Sequence, residues 1–230
     1  MRFFLIMKKH FILMFLLIYV SSSTISQAQS GAVVGVDAKL GTLVTAEWLA
    51  SHLDDPDLVV LDCSVKVEMD ENGGFRSVSG RPGYEAGHIP SAGFADLVST
   101  LSDTSSPFQF TMPSAQQFSA AMAELGVGDN SRVVLYDNSG SVWAARVWWM
   151  LRWIGFDRAA LLDGGLSAWT ANKQPLSTEP ASRPVQQLSV NIRPEMIAYR
   201  DEVFASISDD KIHLVDAMPE SHYRGEMVLY

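Results

Sequence analysis

Cysteine is almost absent from this 230-residue sequence, which contains only Cys63. A single cysteine cannot form an internal disulfide, so the core must be held together by packing alone. The five histidines are widely scattered, and neither a cysteine pair nor a His-x-x-x-His spacing occurs. The sequence thus offers no set of metal ligands, and we expect neither a metal site nor another cofactor.

Basic residues are also scarce, with 17 Lys and Arg against 26 Asp and Glu. Three of the basic residues and none of the acidic ones lie within residues 1–28, which leaves the rest of the chain with a net charge of −12. This charge argues against nucleic acid and anionic membrane surfaces as partners. It does not exclude a small anionic substrate, because local backbone dipoles outweigh a screened global charge at short range.

The apolar run at residues 11–20 is short for a membrane-spanning helix, which takes about 20 residues. Arg2, Lys8 and Lys9 precede this run, and a small polar stretch ending at Ala28 comes after it. These are the three regions of a secretory signal, so we predict a signal peptide over residues 1–28 and export to the periplasm. We expect no stable membrane insertion after cleavage; an uncleaved anchor is the alternative.

The remainder of the chain has the pattern of a packed α/β protein. Short apolar runs predict buried strands at Leu58–Asp62, 133–136 and 159–162. Helices are predicted at 45–53 with Thr45 as N-cap, at 114–125 with a capping box from Ser114 to Gln117, and at 143–153. Apolar strands that alternate with helices indicate a parallel sheet covered by helices on both faces.

The same pattern starts again near the end of the sequence. Residues 40–172 form the first predicted domain, and the polar, proline-rich residues 173–190 are interpreted as a linker. After it, 201–207 is predicted as helix and 212–216 as a strand ending in an aspartate, like Leu58–Asp62. We interpret residues 191–230 as the start of a second, truncated copy of the first domain.

The most informative segment is the loop between the strand at 133–136 and the Trp-rich helix. Such a loop collects backbone N–H groups and the positive end of the helix dipole, so it is a cradle for an anion or an ionised nucleophile. Its first residue decides the chemistry, and here that residue is Asp137. The loop reads Asp137, Asn138, Ser139, Gly140, Ser141, Val142.

Three segments together resemble the rhodanese family: Leu61-Asp62 leading to the Gly87-His88-Ile89-Pro90 motif, the loop after Tyr136, and the stretch from Leu162 to Trp169. The run at 146–152 is similar to the first domain of two-domain members that act on thiosulfate or 3-mercaptopyruvate. The resemblance implies a rhodanese-like domain with a five-stranded parallel sheet. It also implies transfer of sulfane sulfur to a thiophilic acceptor through a cysteine persulfide.

In active family members a cysteine heads the loop, and here Asp137 stands in its place. The resemblance therefore implies that the loop is degenerate, that this chain alone is inactive, and that the catalytic cysteine belongs to a missing C-terminal part. In the second copy, Met218 and His222 replace arginines that would hold an anionic substrate, which leaves His222 as the one candidate substrate-binding residue. The alternative is a non-catalytic, exported binding or scaffold module with the rhodanese fold.

Four features also have structural interpretations. Cys63 is interpreted as a small buried thiol, with a redox or acceptor role as the alternative. His88 is expected to pin a turn through hydrogen bonds instead of acting as a base. Trp148 and Trp149 are expected in the core or at a domain interface and not as a substrate platform. Asp137 is interpreted as a residue that caps the loop N–H groups, with a phosphatase-like nucleophile as the alternative.

Overall fold

A computed structural model describes residues 40–69, 71 and 74–226 of the chain. The predicted signal peptide, residues 1–28, lies outside the described residues. Within the described part, no helix has both the length and the apolar character needed to cross a bilayer.

The described chain alternates strands and helices through residue 171 and ends in short helices. The strands are β1 Leu43–Val44, β2 Leu58–Asp62, β3 Val65–Met69, β4 Phe75–Ser79, β5 Gly93–Phe94, β6 Arg132–Tyr136 and β7 Ala159–Leu162. The helices are α1 Ala46–His52, α2 Arg81–Ala86, α3 Ala115–Glu124, α4 Val142–Trp153, α5 Gly165–Ala171, α6 Arg200–Ser206 and α7 Glu220–Tyr223, with a 3-10 turn at Pro194–Met196.

Five of the strands form one parallel sheet in the order β1-β7-β6-β2-β5. The central strands β2 and β6 are paired along their full length, from Leu58 opposite Arg132 to Asp62 opposite Tyr136. Every residue of β2 is buried, which explains its unbroken apolar run. The predicted α/β fold with a five-stranded parallel sheet is confirmed.

Helices cover both faces of this sheet because side chains alternate along β2. Val59 and Leu61 face a core cluster built with α3 and α4. Leu58 and Val60 face a second cluster built with α1 and α5. The predicted arrangement of helices on both faces is thus also confirmed.

The capping box predicted for α3 is only half formed. The Ser114 hydroxyl accepts the Gln117 N–H at 3.1 Å, as expected of an N-cap. The Gln117 side-chain amide does not reach back to Ser114; it donates to the carbonyl oxygens of Thr100 (3.3 Å) and Ser102 (3.0 Å). Gln117 therefore ties the preceding loop to α3.

The antiparallel hairpin β3–β4 was not predicted from the sequence. Two residues separate it from β2, and it pairs Val65 with Ser79 at its base and Met69 with Phe75 near its tip. Charged and apolar side chains alternate along its strands. The glycines and charged residues between the two strands make this alternation hard to recognise in the sequence.

The segment interpreted as a linker lies against the domain from Ser177 onward. We call residues 177–193 the strap. Ser177 forms an antiparallel bridge with His88, Leu188 is buried in the core beside α3, and Arg193 forms a bidentate ion pair with Asp157 at 2.7 and 2.5 Å. Its backbone N–H groups bond to the domain surface, that of Asn191 to the Ile154 carbonyl oxygen at 2.8 Å and that of Arg193 to the Trp153 carbonyl oxygen at 2.8 Å.

The C-terminal segment differs from its prediction in one respect. The helix predicted at 201–207 is present as α6, but the strand predicted at 212–216 is wrong, because these residues are not paired with any strand in the described part of the chain. An extended apolar run becomes a strand only when a neighbour satisfies its backbone groups. From 199 to 226, all described residues are exposed or half-buried.

Candidate functional site

The loop after β6 is organised around the carboxylate of Asp137, which is 1% exposed. Its Oδ1 accepts the backbone N–H groups of Ser139 (2.8 Å) and Ser141 (2.9 Å). Its Oδ2 accepts those of Trp143 (2.8 Å) and Ala144 (2.9 Å), at the start of α4. The predicted anion cradle is therefore present, and an aspartate side chain fills it.

This carboxylate replaces the ordinary helix cap. Ser141, the residue before α4, is in the left-handed region at φ 69 and makes no capping hydrogen bond with its own side chain. Two N–H groups in the first turn of α4 are satisfied by Asp137 instead. The negative charge also lies at the positive end of the helix dipole, where it is stabilising.

A second motif, the glycine pair at the start of α5, also holds the loop in place. The carbonyl oxygen of Asp137 accepts the Leu166 N–H at 3.0 Å. A Cβ at Gly165 would lie 2.5 Å from that oxygen, and Gly165 has φ +54, so a side chain would be excluded there. The Gly164-Gly165 pair after β7 thus lets α5 begin directly against the loop.

The outer rim of the loop is open. Asn138, Ser139 and Gly140 are exposed, and Val142 is 61% exposed. Together with Ser141, these residues form one short turn around the Asp137 carboxylate. The six residues singled out in the sequence therefore lie together.

A second buried carboxylate, Asp62, ends the neighbouring strand β2. Burial raises its pKa, and the negative charge of Asp137 adds to that increase. Its Oδ1 accepts the Ser64 N–H at 2.8 Å, and its interaction with the Tyr136 side chain partly offsets the rise in its pKa. The Tyr136 hydroxyl accepts the Ile89 N–H at 3.1 Å, and its pKa is raised by burial and by Asp62. No sequence pattern predicted this pair.

Cys63 directly follows Asp62 and is completely buried. Burial raises the pKa of its thiol well above the usual range, and the charges of Asp62 and Asp137 raise it further. A nucleophilic cysteine needs the opposite environment, one that lowers the pKa and admits a reagent. The geometry supports the interpretation of Cys63 as a structural thiol.

His88 is held on both sides of its ring, as expected for a residue that pins a turn. Nδ1 lies 2.7 Å from the Tyr84 carbonyl oxygen, and Nε2 lies 3.0 Å from the Glu179 carbonyl oxygen. The ring is fully buried and stacks on Tyr84 with centroids 3.9 Å apart. His88 therefore joins the turn after α2 to the strap.

The tryptophan pair of α4 is structural. Trp148 and Trp149 are half-buried against the core cluster of α3 and α4. Trp148 donates its indole N–H to the Ala159 carbonyl oxygen at 3.0 Å, and the Arg152 guanidinium lies 5.0 Å from its ring centroid. These contacts support the core interpretation for this pair.

His222 is not brought to the Asp137 loop by any contact within the described part of the chain. It lies in α7, and Met218 just before that helix is 46% exposed. Among the described residues, no group of three or more His, Cys, Asp or Glu side chains is arranged to hold a metal ion. What the described chain presents is an anion cradle already filled by its own carboxylate.

Comparison with known proteins identifies this arrangement. Residues 45–172 match the rhodanese-like domain. The chain is 32% identical over 184 residues to the 3-mercaptopyruvate sulfurtransferase of Escherichia coli K12, covering 80% of this chain and 63% of that protein. It is 30% identical over 189 residues to the thiosulfate sulfurtransferase of Rattus norvegicus, covering 80% and 61%.

The fold is shared with a solved relative. The crystal structure of SseA from Escherichia coli, described as having the rhodanese fold of 3-mercaptopyruvate sulfotransferases, superposes with a TM-score of 0.72 at 30% identity. The superposition covers 81% of this chain and 69% of that one. The chain spans 63% of the length of its Escherichia coli relative and 61% of that of the rat enzyme. By its sequence and its fold, the chain belongs to the family of rhodanese-like domain proteins.

Proposed function

We propose that this chain is the N-terminal part of a rhodanese-type sulfurtransferase, in which the loop after β6 lacks the catalytic cysteine. The complete protein would move sulfane sulfur from thiosulfate or 3-mercaptopyruvate to a thiophilic acceptor through a cysteine persulfide. The catalytic cysteine would belong to a second rhodanese-like unit that begins at residue 191 and continues past Tyr230. The relatives named thiosulfate and 3-mercaptopyruvate sulfurtransferases support the class of reaction.

The observation that carries this proposal is the occupied cradle. In a working loop a cysteine thiolate attacks the outer sulfur of thiosulfate, the S–S bond breaks, and sulfite leaves with its electron pair. The sulfur stays on the cysteine as a persulfide until an acceptor takes it. Asp137 offers carboxylate oxygens held by four N–H groups and no sulfur, so this loop cannot carry the step.

The C-terminal segment supports a second unit. Val203 and Phe204 in α6 are 38% and 75% exposed, Ile207 just after that helix is 66% exposed, and Val215 is 85% exposed. Side chains of this kind become buried when a complete domain forms around them. The relatives extend well beyond the matched region, which is consistent with further chain that completes this unit.

The test is thiocyanate formation from thiosulfate and cyanide, measured on the 230-residue chain and on the complete gene product. We expect no turnover by the 230-residue chain and turnover by the complete product, which should contain a second loop headed by cysteine. Cys63→Ser is the matched control and should leave turnover unchanged. Turnover by the 230-residue chain that is lost in Cys63→Ser, or a reading frame that stops at Tyr230, would overturn the proposal.

A reading frame that stops at Tyr230 would favour the alternative. The chain would then be a non-catalytic module with the rhodanese fold, acting by binding. The exposed apolar side chains of the C-terminal segment would be the first place to look for its contacts.

A further inference from the structure

A cavity of about 520 Å³ lies between the strap and the start of the strands β2 and β6. Because these strands are parallel, their first residues meet at the edge of the sheet opposite the Asp137 loop. The strap contributes Arg183, Pro184, Gln186 and Gln187 to the cavity wall. Sites for small molecules measure roughly 300–1,000 Å³, so the size of this cavity suits a small ligand.

The Arg183 side chain is held in a fixed position at this wall. A Cβ at Gly126, just after α3, would lie 2.7 Å from the Arg183 Cβ and 2.9 Å from its Cδ. Gly126 also has φ +87, so glycine is required there. The Gln186 N–H donates to the Ala123 carbonyl oxygen at 3.1 Å, which fixes the strap backbone beside this contact.

The Arg183 guanidinium is a cation without an anion. Within the described part of the chain it makes neither a hydrogen bond nor an ion pair, and its half-burial lowers its pKa. Arg132 and Arg193, by contrast, each donate twice to an aspartate at 2.5 to 2.8 Å. Partial removal of a charge from water costs free energy unless a partner compensates it, so Arg183 is poised to receive an anion.

Asp129 is a second charge on the same wall. Its carboxylate oxygens accept the N–H (2.7 Å) and the hydroxyl (2.8 Å) of Ser189, and no described cation pairs with it, Arg183 included. Asp57 also lines the cavity, but Arg132 donates to both of its oxygens at 2.8 Å and neutralises it. The cavity therefore presents one cation and one anion that do not pair with each other.

We propose that this cavity binds a small zwitterion, an amino acid or short peptide that carries both a carboxylate and an ammonium group. The ligand carboxylate accepts from the planar donor fork of Arg183, and the ligand ammonium donates to Asp129. The side-chain amides of Asn130 and Gln187 line the cavity without a hydrogen bond in the described part of the chain, and they bind the remaining polar groups of the ligand. This site is additional to the proposed function and does not depend on it.

The charges favour a zwitterion over a simple ion. The net charge of −12 outside residues 1–28 repels free anions, and Asp129 repels a further negative group inside the cavity. A simple cation would meet the same difficulty at Arg183. A ligand with both charges satisfies the two side chains at once and has no net charge of its own.

The test is a titration of the 230-residue chain with glycine, glycylglycine and triglycine, whose two charges are progressively farther apart. Binding is followed through the ¹H–¹⁵N signals of Gly126, Gly128 and Gln187, with Gly140 in the Asp137 loop as the remote reference. We expect saturable shifts at the cavity with at least one of these ligands, with an affinity at least about tenfold higher than that of acetate or ethylammonium. Equal binding of acetate, or no saturable shift at tens of millimolar ligand, would overturn the site.

Substitution of each charge separates its contribution. Arg183→Gln should weaken zwitterion binding at least about tenfold, whereas Arg183→Lys, which keeps the charge but not the fork, should lose less. Asp129→Asn should weaken zwitterion binding and strengthen acetate binding, because it removes the repulsion. Unchanged zwitterion affinity in Arg183→Gln would contradict the proposed contact.

Arg200→Gln is the matched control. It removes the same charge from a side chain of α6 that is 92% exposed, so zwitterion binding should be unchanged. Because Arg183 makes no hydrogen bond in the described chain, Arg183→Gln should change the urea midpoint little. Equal losses of binding in Arg183→Gln and Arg200→Gln would show a general charge effect and overturn the site.

Discussion

In the loop after β6, the bound anion is the side-chain carboxylate of Asp137. Four backbone N–H groups converge on its two oxygens at 2.8 to 2.9 Å, in a site that is almost closed to solvent. Elsewhere such a ring of donors would bind a ligand or stabilise a thiolate. Here the same ring of donors is satisfied by Asp137, whose carboxylate caps α4.

Removing this carboxylate should destabilise the domain strongly. Asp137→Ala leaves four N–H groups without their acceptor, and we expect the free energy of unfolding to fall by about 3–5 kcal/mol. Asp137→Asn should also be destabilising, because its NH₂ group would face two N–H donors. Urea unfolding monitored by tryptophan fluorescence measures both changes.

Asp209→Ala is the control for this prediction. Asp209 is an exposed aspartate that accepts one N–H, from Lys211 at 2.9 Å, so its removal should change the urea midpoint little. Equal effects of Asp137→Ala and Asp209→Ala would contradict the role of the cradle.

The residues predictable from the sequence are those whose role depends on a local strand–loop–helix pattern. Asp137 lies in its cradle because helix N-termini present free N–H groups wherever they occur. Gly165 could not be interpreted in the same way, because its need for a small residue comes from the Asp137 carbonyl, 28 positions earlier in the chain. The Asp62–Tyr136 pair likewise depends on two strands being neighbours.

At the scale of elements, the strap is a structural part of the rhodanese-like domain. It contributes Leu188 to the core, and the Leu188 carbonyl oxygen accepts the buried Ser119 hydroxyl at 2.7 Å. Ser189 is held by Asp129 through its N–H (2.7 Å) and its hydroxyl (2.8 Å). A flexible linker would show none of these contacts, so the domain extends past residue 172.

The two leucines of this region allow a direct test. Leu188→Ala removes a side chain that is 7% exposed, and we expect a loss of about 2–4 kcal/mol in the free energy of unfolding. Leu176→Ala removes one that is 47% exposed and should change stability by less than about 0.5 kcal/mol. Similar small effects at both positions would show that the strap does not stabilise the domain.

The predictable elements are those with a strong local signal. β2, β6 and β7 are buried on both faces and so appear as apolar runs. β1 and β5 are two residues long and exist only because a neighbouring strand pairs with them. The same dependence explains the wrong strand at 212–216, whose apolar run has no neighbour among the described residues.

At the scale of the whole molecule, Cys63 reports on global unfolding. It lies at the end of the central strand β2 and is 0% exposed, and its pKa is raised by burial. At pH 8 the native chain should react with a thiol reagent more slowly than the unfolded chain by a factor on the order of 1,000 or more. The rate should rise with urea in parallel with unfolding measured by fluorescence. A native rate near that of free cysteine would contradict the closed core.

The order of the strands has a consequence for how this domain forms during synthesis. β1, the first described strand made, occupies one edge of the sheet and pairs only with β7, the last one made. Until Leu162 has been synthesised, β1 has no partner, and the apolar strands β2 and β6 lack part of their cover. Pairing between strands that are far apart in sequence makes folding slow, and it leaves apolar segments exposed to solvent while the chain grows. The growing chain therefore needs protection from aggregation until most of the rhodanese-like domain has been synthesised.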